Sequence, residues 1–272
     1  MRAVRSRPLI VFFVLAFALT WVVWVPRAMG VDFGVIGQLW TWVPALAALI
    51  SAALTGGRDA VKELTRRLLR WRVSWLWYVL VILGPAAFSA VTAAAYMAMG
   101  GSWSTAAPDA FTTSAATLVL FFLALALTDG LGEEPAWRGF ALPRLLSRHS
   151  ALVASLVLGV LWAAWHLPLL WTDGSAAQQL PVWLLFLDLP AKSVLFTWVF
   201  LRTRGSALLA VLLHASTNLF EVSPAVASQG SLTYPVLAMA TKWLLVLLLI
   251  AWSGARLTRR PSPEAFAQTA EL

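Results

Sequence analysis

Apolar runs long enough to cross a bilayer recur along the whole chain, and nothing in the sequence constrains the fold more. About 20 residues at about 1.5 Å each span the hydrocarbon core. Eight stretches come near that length: 8–29, 35–55, 75–99, 112–134, 151–171, 181–201, 206–222 and 235–254, the seventh being short. Of the 272 residues, 60% are hydrophobic and only 12% charged, against about 25% charged in a typical soluble domain. That leaves too little polar surface to clothe a soluble globule. The sequence therefore predicts an all-α, polytopic membrane helical bundle of about eight transmembrane helices. It holds no cysteine, which excludes a disulfide framework and thiolate-ligated metals.

A net charge of +8 is a common mark of nucleic-acid binding, but the positions of the charges point to a bilayer. With a cytoplasmic N-terminus, 17 of the 20 Lys and Arg residues fall in cytoplasmic segments. Outer loops keep only Arg27, while Lys192 and Lys242 lie within spans. The positive-inside rule produces this asymmetry. The expectation is a multi-pass protein of the cell (plasma) membrane with both termini cytoplasmic, its partner the lipid bilayer and not nucleic acid. The first apolar run is longer than a signal-peptide core, so a retained helix is expected. Residues 56–74 form a basic amphipathic segment, expected to lie on the cytoplasmic membrane surface with its arginines on anionic headgroups.

Ionisable groups inside a membrane are costly and mark functional sites. Of three histidines, His166 and His214 fall within spans, while His149 sits in a basic turn; Asp129, Glu133, Glu134, Asp188 and Glu221 are the acidic residues in or beside spans. A single such residue is often only an interhelical hydrogen bond. A set sharing one depth is more. If helices four and five form a hairpin turning at 147–150, Glu134 and His166 lie within roughly one helical turn of each other in depth. His214 follows the cytoplasmic loop at 202–205, with Asn218 on the same helix face at i+4. Glu134 and Arg138 share that spacing, which lets the arginine hold the carboxylate. Asp188 and Lys192, also i,i+4, are expected to neutralise each other. A carboxylate and a neutral imidazole bind and deprotonate water, and an imidazole with a carboxamide donates to an oxyanion. The same groups also suit a zinc ion with an open position for water, and the residues leave both chemistries open.

Three motifs gather these residues. Glu133-Glu134-Pro135-Ala136-Trp137-Arg138 fits EExxxR, Trp162-Ala163-Ala164-Trp165-His166 fits FxxxH with Trp for Phe, and His214-Ala215-Ser216-Thr217-Asn218 fits HxxxN. In order and spacing they resemble the CAAX-protease and bacteriocin-processing (CPBP, or Abi) family of intramembrane endopeptidases. The resemblance covers about residues 112–222, a catalytic core between an N-terminal three-helix part (1–111) and a last helix with a polar cytoplasmic tail (223–272). It implies Glu133 as the water-activating carboxylate with His166 as its partner, Glu134 and Arg138 as orienting groups, and His214 and Asn218 at the oxyanion. Trp162 would keep a packing role. Family members have been described both as metalloproteases and as metal-independent glutamate proteases, so the cofactor is either none or a zinc ion on Glu133, His166 and His214. Pro135 removes a helical hydrogen bond and predicts a kink beside the glutamates. The substrate expected is a membrane-associated protein or peptide. The alternatives are a proton-coupled secondary transporter, whose usual repeat symmetry is missing, and a non-catalytic relative acting as an immunity or scaffold protein.

Overall fold

Side chains that are apolar all round a helix require lipid or other helices on every side, and the chain folds accordingly. The computed structural model describes residues 7–102, 114–175, 177–178, 180–222 and 231–258. Its helices are α1 (Pro8–Ala28), α2 (Val43–Leu68, entered through a short helix Gly34–Leu39), α3 (Trp75–Ala98), α4 (Ala115–Leu146), α5 (Ala151–Trp165), α6 (Val182–Arg202), α7 (Ala207–Thr217) and α8 (Thr233–Ser253). Among the described residues seven helices are long and apolar enough to span a membrane, and Ala207–Glu221 is a shorter apolar helix. The protein is thus an all-α polytopic bundle. Large apolar side chains such as Val14, Leu83, Leu120 and Leu247 face outward, as lipid contact requires.

The basic segment differs from the expected surface loop. At Gly57 the backbone turns through φ 62°, a conformation that favours glycine, and the helix then continues to Leu68. Beyond the bend, Leu64 is buried in the main core, and Arg67 pairs with Glu63 at 2.9 Å and donates to the Gly139 carbonyl of α4 at 3.4 Å. Arg58 and Arg66 stay exposed. The apolar face of this segment therefore meets protein.

An aromatic wall joins α1, α4 and α5. Ring centroids lie 4.4 Å apart for Trp24–Trp165, 5.5 Å for Phe12–Trp137 and 5.6 Å for Trp137–Trp165, a geometry that adds about 0.5–1.5 kcal/mol per pair beyond burial. On the other side, the Ser216 hydroxyl of α7 donates to the Ile82 carbonyl of α3, and Ser89 of α3 donates to the Phe220 carbonyl, each at 2.6 Å. These contacts fix α4 and α7 against one another's neighbours.

Helices α5 and α6 touch backbone to backbone. A Cβ on Gly159 would stand 2.4 Å from the Pro190 Cα and 3.0 Å from the Leu189 carbonyl, the close approach that small residues permit in membranes. Gly159→Ala is expected to push the two helices apart and to destabilise the bundle by about 1–3 kcal/mol. A lowered melting temperature in detergent checks this.

The expected Asp188–Lys192 pair gives way to pairing between helices. Lys242 of α8 reaches Asp188 at 2.6 Å and Glu221 at 2.7 Å, and Lys192 lies 3.5 Å from Glu221. Two lysines and two carboxylates thereby join α6, α8 and the turn after α7 into a charge-balanced cluster.

Candidate active site

Local sequence breaks α4 where its carboxylates lie. Ala126–Gly130 is π-helical, Leu131–Glu134 returns to α geometry, and Pro135–Ala141 is π-helical again. Pro135 has no N–H to continue the ladder, and such π turns recur at functional sites. The expected kink thus takes the form of two π segments bracketing Glu133 and Glu134.

Glu134 is clamped. Its Oε1 accepts from Arg138 Nη1 at 2.9 Å and from His214 Nδ1 at 2.8 Å. The Arg138 guanidinium lies between two rings, 4.5 Å from the Trp162 centroid and 4.6 Å from that of Phe196, so cation–π attraction on both faces holds it. Glu133 is held differently. Its Oε2 accepts indole N–H bonds from Trp137 at 3.0 Å and Trp162 at 2.6 Å, while Oε1 stands 4.0 Å from His214 Nε2. Relative exposure is 3% for Glu133, 0% for Glu134 and Arg138, and 4% for His214. Within this buried set, Glu134 Oε2 and Arg138 Nε and Nη2 have no protein partner among the described residues, a state that calls for water or a polar ligand.

With a neutral imidazole, the Nδ1–H that His214 donates to Glu134 leaves the lone pair on Nε2, which faces Glu133 Oε1. A separation of 4.0 Å is too long for a direct hydrogen bond and suits a shared water. Two acceptors served by one water, at about 2.8 Å each and a near-tetrahedral angle, stand about 4.5 Å apart.

The remaining motif residues border this network. His166, half-buried at the end of α5, donates through Nδ1 to the Trp162 carbonyl at 2.9 Å. It bonds neither glutamate. Trp162 stands between the imidazoles, its ring centroid 5.6 Å from His214 and 5.9 Å from His166. The imidazole beside Glu133 is therefore that of His214. Asn218, opening the π turn Asn218–Val222, donates through Nδ2 to Asp129 Oδ2 at 2.9 Å.

Sequence reasoning missed Trp137, and it gave Trp162 and Asp129 no hydrogen-bonding role. Trp162 was read as packing, yet Trp in place of Phe adds an N–H donor. Trp137 and Asp129 each lie four residues from Glu133, and that i,i+4 spacing was the available signal.

The donor set does not suit a metal. Among the described residues no three His, Cys, Asp or Glu side chains are grouped to hold an ion. Of the zinc ligands the resemblance offered, Glu133 spends Oε2 on two indoles, and the Trp162 ring stands between the imidazoles of His166 and His214, so the three do not converge. Zinc needs convergent donors at about 2.0–2.2 Å, so no step is derived through it.

A polytopic bundle with an acid–imidazole–guanidinium network buried between α4, α5 and α7 defines a membrane protein with an intramembrane polar centre. Residues 115–220, which hold all three motifs, match the family described as type II CAAX prenyl endopeptidase Rce1-like. Over 107 residues the chain is 36% identical to CAAX prenyl protease 2 of Methanococcus maripaludis, a stretch covering 37% of this chain and 38% of that protein's length. Through this segment the chain is similar to CPBP-type endopeptidases, and it spans well under half the length of the relative it matches.

Proposed function

We propose that the chain is an intramembrane endopeptidase hydrolysing a peptide bond of a membrane-associated protein or peptide. One observation carries the reading: Glu133 Oε1 and His214 Nε2 face each other across 4.0 Å, with His214 oriented by Glu134 as a carboxylate orients a catalytic imidazole. One water donates its two hydrogens to these acceptors and turns a lone pair toward the scissile carbonyl. As its oxygen attacks the carbon, a proton passes to Glu133 and the carbonyl becomes an oxyanion. Asn218, one N–H fixed by Asp129, offers its other to that oxyanion. The proton on Glu133 then passes to the leaving nitrogen as the C–N bond breaks. His166 Nε2, also a lone pair, would accept from a backbone N–H of the substrate. Both termini lie in the cytoplasm of a plasma-membrane protein, on the arginine distribution.

The test uses purified protein in liposomes with a prenylated CAAX peptide, the substrate named for the archaeal relative, monitored for cleavage by mass spectrometry. Cleavage is expected, and strong chelators are expected to leave its rate unchanged. Loss to chelator with recovery on added zinc would overturn the metal-free mechanism. Asn218→Ala, removing one oxyanion donor, is expected to lower kcat about 10²–10³-fold with little change in KM; steady-state kinetics on the same peptide decides it.

A further inference from the structure

Away from the glutamates, at the end of the bundle that the arginine distribution assigns to the cytoplasm, α1, α2 and α4 enclose a pocket of 430 Å³. Its walls carry five guanidinium groups, from Arg7, Arg66, Arg67, Arg144 and Arg148, against the two carboxylates of Asp59 and Glu63. The cations are not all spent on those acids. Arg67 pairs with Glu63 at 2.9 Å, and Arg66 reaches the same carboxylate only at 3.8 Å. Arg144 donates one N–H to the Phe140 carbonyl at 2.8 Å and lies 3.6 Å from the centroid of its ring. The guanidinium groups of Arg7 and Arg148 make no hydrogen bond or ion pair among the described residues. The polarity is graded, since Arg7, Arg66 and Arg148 are exposed while Leu64 and Phe140 on the inner wall are buried.

We propose that this pocket binds the phosphate group of an anionic phospholipid headgroup, with Arg7 and Arg148 bridging it and Arg144 beneath. Converging guanidinium forks match phosphate oxygens bidentately. Basic pockets between transmembrane helices on the cytoplasmic side lie where anionic lipids are concentrated. An apolar inner wall under a cationic rim suits a headgroup above the start of its acyl chains better than it suits a free carboxylate. The site also touches the catalytic helix, because Gly139 and Phe140 line it and Arg67 holds the Gly139 carbonyl. The binding stands whether or not the chain cuts peptides.

The experiment takes the full chain in phosphatidylcholine nanodiscs with or without phosphatidylglycerol and reads retained lipid by native mass spectrometry. Phosphatidylglycerol is expected to stay bound. The double variant Arg7→Gln/Arg148→Gln is expected to weaken retention about tenfold or more, with an unchanged melting temperature in pure phosphatidylcholine. Arg58→Gln, an exposed charge outside the pocket, is expected to leave retention intact. Equal retention by wild type and double variant, or equal loss with Arg58→Gln, would overturn the site. Inorganic phosphate competing at concentrations matching the lipid would assign it to free phosphate and overturn the lipid. Displacement by a peptide carboxylate, without preference between the two lipids, would do the same. If the double variant melts lower, Arg148→Gln alone, at an exposed position, decides by the same readout.

Discussion

Glu133→Gln is expected to reduce peptide cleavage by at least about 10³-fold, within the range general-base catalysis supplies, while the bundle stays folded. The substitution keeps the side chain's shape, and its carbonyl oxygen still accepts from Trp137 and Trp162, which meet Glu133 at 3.0 and 2.6 Å. The amide then points toward His214 Nε2, now 4.0 Å from a carboxylate oxygen, and donates where water would have donated. It accepts no proton. Neighbouring contacts through Arg138, Glu134 and His214 do not involve Glu133 Oε2 and persist. Circular dichroism and melting close to wild type, combined with lost turnover, separate a chemical role from a structural one. Wild-type cleavage by the variant would remove Glu133 from the mechanism.

Lys242→Met is expected to destabilise the protein by about 3–5 kcal/mol, the usual cost of removing one partner from a buried ion cluster. Lys242 is 4% exposed and holds Asp188 at 2.6 Å and Glu221 at 2.7 Å. Without it, Asp188 has no other ion pair within 4.0 Å among the described residues, and Glu221 keeps only Lys192 at 3.5 Å. Glu221 belongs to the π turn that Asn218 opens, so slackening there reaches Asn218 as well. Denaturant titration in detergent measures the loss. Adding Asp188→Asn and Glu221→Gln to Lys192→Met and Lys242→Met removes the charges together and is expected to recover much of the stability, because no uncompensated ion remains. Equal stability of Lys242→Met and wild type would contradict a structural role for the cluster.

Helix number and position were legible because membrane spans are written in length and apolarity alone. Even α7, short in sequence, is short in the structure. Pairing between helices was not legible. Asp188 and Lys192 are neighbours at i,i+4, whereas Lys242 meets Asp188 only because α8 packs on α6, which no local spacing encodes. The site divides in the same way. Glu134–Arg138 lies within one helix and was visible, while the choice of His214 over His166 beside Glu133 depends on how α5 and α7 rotate about α4. Amphipathicity of residues 56–74 was clear, but a pattern of that kind does not say whether the apolar face meets lipid or protein.

The most direct test of hydrolysis at Glu133 compares newly formed protein termini in membranes from cells carrying the wild-type chain and cells carrying Glu133→Gln at equal abundance. Termini present with the wild type and missing with the variant, mapping to membrane-associated proteins, are the predicted result. Identical sets of termini in the two membranes would contradict it.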